Sequence, residues 1–167
     1  MSDQTTTLSL RFEPETFRTL QAEASRRNRE IGDYCMTLIE SALAASGAFV
    51  KNPAELERIT AREMLLNRVV EIAMEIEREE ISLREDVTVE AVKRAEGEPE
   101  WLSAYARFVA PAKPFAKGVS IKRRINPRFG SRVKSALRAE TVKAEGGRNA
   151  IVTASNSVIQ SATKLRK

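Results

Sequence analysis

The chain of 167 residues contains no histidine and a single cysteine, Cys35. Without histidine it lacks the usual neutral-pH general base and the commonest transition-metal ligand. One thiol excludes an internal disulfide framework and makes a reducing cytoplasm the expected compartment. Aromatic residues make up only 5%. No apolar run is long enough to cross a bilayer, and the opening MSDQTTT lacks the basic-then-apolar order of a secretion signal, so no membrane partner is expected. Phosphate-loop and nucleophile-elbow motifs are missing too. These absences close most readable routes to catalysis, and the expectation is a non-enzyme that needs no cofactor or metal.

Charge is plentiful and unevenly placed. Residues 1–100 hold 13 Lys/Arg against 21 Asp/Glu, a net −8, whereas residues 101–167 hold 15 against 2, a net +13. No acidic residue occurs from Trp101 to Ala139. A block of this sign fits a polyanion, nucleic acid before an anionic membrane, or else neutralises the acidic middle of its own chain.

Periodicity divides the chain into three parts: 1–47, a helical connecting segment at 48–110, and a basic segment at 111–167. The first opens on TLSLRF (7–12), where Leu8, Leu10 and Phe12 alternate with Thr7, Ser9 and Arg11 in the manner of a half-buried strand. Pro14 flanked by Glu13 and Glu15 then starts a helix with Phe17, Leu20 and Ala24 on one stripe. A polar turn leads to a second helix, IGDYCMTLIESALAASG, whose expected buried face is Tyr34, Cys35, Leu38, Ile39, Ala42 and Leu43 and whose stop is Gly47.

Asn52-Pro53 opens a long helix to about residue 80, with Leu56, Ile59, Leu66, Val69, Ala73 and Ile76 along one side and Leu65 and Ile72 behind them. Shorter helices are expected near 87–95 and at 99–109, the latter burying Trp101, Leu102, Tyr105 and Phe108. Beyond the linker APAKPFAKG, the tetrapeptide VSIK (119–122) matches LSLR (8–11) in character, Asn126-Pro127 marks another helix start, and SVIQSAT (157–163) lines up with TLIESAL (37–43). The pattern predicts a duplicated unit, with its last helix over 149–164.

Strand, Pro-Glu helix start, polar turn and a second Gly-Asp-Tyr…Leu-Ile-Glu-Ser-Ala-Leu helix together resemble the ribbon-helix-helix family of DNA-binding proteins, which includes Arc and MetJ. The resemblance covers residues 5–45. It implies a mainly α fold in which two strands form an antiparallel ribbon that enters the DNA major groove. With the second unit, the chain is similar to tandem members such as the TraY proteins of conjugative plasmids: a monomeric pseudo-dimer pairing strand 7–13 with strand 118–125, or else a homodimer.

The outward residues of the two strands, Thr7, Ser9 and Arg11 with Ser120, Lys122 and Arg124, would then contact base edges. Ile31 and Gly32 at the start of the second helix would hold a phosphate through backbone N–H groups, joined by Lys113, Lys117 and Arg128 of the basic segment. The implied function is sequence-specific binding of double-stranded DNA, as a transcriptional repressor or a relaxosome accessory factor in plasmid conjugation. The alternative is an antitoxin-type module whose residues 53–109 bind a partner protein.

Overall fold

The computed structural model describes residues 9–79, 87–114, 116, 119, 121–141, 151–153, 159–161 and 163–164, with side chains up to residue 139 apart from Arg123. Six helices account for most of them: α1 (Pro14–Arg26), α2 (Ile31–Ala45), α3 (Pro53–Arg78), α4 (Val87–Glu96), α5 (Pro99–Val109) and α6 (Lys122–Ala136). Two short antiparallel pairs follow. Strand β1 (Glu140–Thr141) lies beside β4 (Thr163–Lys164), and β2 (Ile151–Thr153) beside β3 (Ile159–Ser161).

Local chemistry explains the helix ends. Pro14, Pro53 and Pro99 each stand at the first helical position, where a missing N–H costs nothing. Helix α2 ends in a Schellman motif: Gly47, at φ 75°, lets Ala48 N–H reach Leu43 O at 3.0 Å and Gly47 N–H reach Ala44 O at 3.1 Å. Asn28, at φ 52°, ends α1 the same way, with Arg29 N–H donating to Ala24 O at 2.9 Å. Asparagine tolerates that left-handed conformation better than most residues.

The core belongs to α3–α6. Leu65, Leu66, Val69, Ile72, Ala73 and Ile76 of α3 face Val87, Ala91 and Val92 of α4, Trp101, Tyr105 and Phe108 of α5, and Ile125, Phe129 and Val133 of α6. Trp101 stacks on Tyr105 with ring centroids 5.2 Å apart and tilts against Phe129 at 5.9 Å. Its indole N–H donates to Leu65 O at 3.2 Å, which satisfies the one polar atom of the largest buried side chain.

The ribbon-helix-helix expectation is overturned. Ser9–Glu13 forms no strand, and from Lys122 onward the second expected strand is the first turn of α6. The alternation of VSIK was too short to set a period, and Ile121 and Ile125, four residues apart, both pack with the core as helix neighbours do. The duplication fails with it. The helix expected over 149–164 is replaced, where described, by β2, β3 and β4. Pro127, expected to start a helix, sits inside α6 with its ring exposed to solvent. Mainly α remains correct.

Helix α2 departs from expectation in a second way. Of its expected buried face only Tyr34 is buried, and Leu38, Ile39 and Leu43 are exposed. The side that meets the rest of the chain is polar.

Candidate nucleic-acid interface

Helices α1 and α2 pack on each other as a hairpin, and α2 joins the α3–α6 core through charge. Arg29 donates to Thr37 Oγ1 at 2.9 Å and to Glu63 of α3 at 3.3 Å. Glu40 of α2 accepts two bonds from Arg62 of α3, one at 3.0 Å. Arg132 of α6, with a side chain only 5% exposed, donates to Glu63 at 2.8 and 3.1 Å and to Asn67 at 3.1 Å. Its Nε lies 2.6 Å from Asp33 Oδ2, an ion pair whose angle makes no hydrogen bond. Asp33 and Glu40, at helical spacing on one side of α2, meet Arg132 of α6 and Arg62 of α3, while Thr37 between them accepts from Arg29, which reaches on to Glu63.

Burial alone would push the Glu63 carboxyl up, but hydrogen bonds and charge from Arg132, with Arg62 and Arg29 nearby, hold it below the ordinary carboxylate value. Arg62 is raised: Glu40 and Glu63 outweigh the desolvation that would lower it. Arg128 is the exception among these guanidiniums. Burial, reinforced by the like charge of Arg62, lowers it against the weaker attraction of Asp33, Glu40 and Glu63. Its Nη1 is buried and has no hydrogen-bond partner among the described residues.

Arg128 lines a cleft of about 200 Å³ with Glu30, Gly32, Asp33, Met36, Ser131 and Arg132. Helix α2 begins there. The first intrahelical bond is Tyr34 N–H to Glu30 O at 2.9 Å, and no side chain caps the helix, so the N–H groups of Ile31, Gly32 and Asp33 have no helical acceptor. A Cβ built on Gly32 would meet nothing within 4 Å, which leaves the backbone open to close approach. Asp33 would repel an anion, yet its carboxylate is already engaged by Arg132. Glu30 is exposed at the edge of the cleft.

The structure thus brings together Gly32 and Arg128, two of the five expected phosphate contacts, from opposite ends of the chain. Ile31 is the neighbouring backbone position, and Lys113 is exposed between α5 and α6. Lys117, Thr7 and Ser120 lie outside the described residues. Ser9 and Arg11 are exposed ahead of α1, and Arg124 is exposed on α6.

Lys122 is a correction. It is buried, and its ammonium donates to Ala116 O at 2.6 Å and to Pro114 O, which ties down the linker before α6. Burial lowers its pKa, and the side chain cannot reach a base edge. The network residues Arg132, Glu63, Arg62 and Glu40 escaped the sequence reading; the only signal was the polar row 33, 37, 40 opposite an apolar one.

A second concavity, of about 770 Å³, lies within the region expected to bind a partner protein, lined by Leu56, Ala61 and Met64 of α3 with Arg107 and Ala110 at α5. None of the described helices is long and apolar enough to cross a membrane. No protein-family model, no curated protein and no solved structure matches this chain.

Proposed function

We propose that the chain is a double-stranded DNA-binding protein that anchors on backbone phosphates at the α2–α6 cleft. One observation carries the reading: Arg128, whose buried Nη1 has no hydrogen-bond partner among the described residues, lines the same cleft as the uncapped start of α2. A phosphate oxygen would satisfy both, the guanidinium by a charge-assisted bond and the helix by its free N–H groups. Desolvating an unpaired guanidinium costs stability, and an arriving anion offsets that cost.

The net +13 of residues 101–167 supplies attraction over a wider area, with Lys113 and Arg124 as exposed phosphate contacts. Ser9 and Arg11, exposed ahead of α1, are the side chains available to read bases in this arrangement. A repressor and an accessory protein at a plasmid transfer origin would use the same contacts.

Fluorescence anisotropy with duplex DNA at several salt concentrations tests the proposal. The wild type should bind with a steep salt slope, and Arg128→Met should weaken binding and reduce that slope by about one phosphate's worth. Because Arg128 Nη1 makes no hydrogen bond among the described residues, the variant should keep or gain thermal stability. Absence of duplex binding by the wild type at low salt would refute the proposal, and unchanged binding by Arg128→Met would refute the cleft.

A further inference from the structure

Helix α2 is inverted with respect to its own chain. Asp33, Thr37 and Glu40 take the inward side: Asp33 forms an ion pair with Arg132, and Thr37 and Glu40 accept hydrogen bonds from Arg29 and Arg62. Met36, Ile39 and Leu43, spaced i, i+3 and i+7, are exposed, and Leu38 is exposed beside them. A helix of a globular protein ordinarily does the opposite. The rest of the hairpin shares the condition, since Leu10, Phe12 and Phe17 are also exposed and only Ala24 and Tyr34 are buried between residues 9 and 47.

These seven side chains are each between 38% and 48% exposed, together on the order of 500 Å² of open apolar surface. A stable interface buries roughly 800 Å² per partner, of which about 60% is non-polar. The hairpin's apolar area is what one side of such a contact needs.

Charge narrows the occupant. Residues 9–47 carry five Arg against six Asp/Glu, so two copies of the hairpin do not repel. Near-neutrality gives no attraction to an anionic lipid surface, and the apolar side chains offer nothing to a phosphate backbone. A face with balanced charge around apolar side chains is complementary to itself across a two-fold axis. We infer that the outward side of α2, flanked by Phe17, Leu10 and Phe12, is the contact surface between two copies of this chain. The face meets the α2–α6 cleft at Met36, and the mass of the chain without DNA tests it separately from DNA binding.

Light scattering or sedimentation of the full chain tests it directly. The wild type should run at twice its 18.6 kDa in the ~10 μM range, and Ile39→Glu with Leu43→Glu should return it to the single-chain mass with helix content kept, because both side chains are exposed in one chain. The dissociation constant should rise by at least about 100-fold. If the charged pair lowers helix content, Ile39→Ala with Leu43→Ala replaces it. Cys35 gives a second readout: partly exposed and on the Leu38 side of α2, its alkylation should slow with concentration in the wild type alone. A wild type monomeric throughout, whether or not it binds a hydrophobic dye or vesicles, would overturn the inference, as would a dimer that survives the substitutions.

Discussion

Replacing Arg132 by methionine tests the charged seam between the α1–α2 hairpin and the core. The stem length is kept, so the change removes the guanidinium with little loss of packing. Three groups lose a partner: Glu63, which gave up bonds at 2.8 and 3.1 Å, Asn67 at 3.1 Å, and Asp33, paired at 2.6 Å. Breaking one side of a buried pair costs about 3–5 kcal/mol because a charge is left uncompensated. Glu63 still has Arg29 at 3.3 Å and Arg62 at 3.4 Å, which places the expected loss at the lower end, about 3 kcal/mol. In a chain of this size that lowers the melting temperature by roughly 6–12 °C.

Urea unfolding followed by circular dichroism gives the loss. A cycle with Glu63→Gln then isolates the pair, and the coupling should exceed about 1 kcal/mol. A loss below about 1 kcal/mol, or additive single effects, would mean that the network is solvated and does not hold the hairpin.

Trp101→Ala should destabilise by about 3–5 kcal/mol, measured in the same way, because it empties the centre of the core and removes the indole bond to Leu65 O. A cost under 1 kcal/mol would contradict the packing of α3, α5 and α6. Acid should weaken the fold through Glu63. Its folded value lies below the ordinary 4.5, so its contribution is complete above that value and is lost as the pH falls through the lower one. Stability should be level from neutrality to about pH 5 and fall below about pH 4, with a shallower fall in Glu63→Gln; equal acid sensitivity of the two would assign the effect to other carboxylates.

Helix positions were legible wherever caps and periodicity agreed. Pro53 and Pro99 marked true starts, Gly47 a true stop, and Trp101, Tyr105 and Phe108 a true buried stripe. Alternation over four or five residues misled. TLSLRF and VSIK satisfy a strand's period of two, but so short a stretch does not exclude coil or the first turn of a helix. The network was hidden for a different reason. Arg128 and Arg132 sit in a run that reads as uniformly basic, and only the α6 backbone decides that Arg132 pairs with Glu63 while Arg128 keeps an N–H without a partner among the described residues.

By itself the sequence determined where α1–α5 run, and that positive charge gathers in the last third of the chain, because propensity, capping and composition act over neighbouring residues. Tertiary structure alone decided which side of α2 faces inward. The amphipathic pattern of α2 names an apolar side and a polar one, but burial depends on what stands opposite, and here Arg62, Glu63 and Arg132 stand opposite the polar side. That choice brought Gly32 beside Arg128 and left Ile39 and Leu43 facing outward.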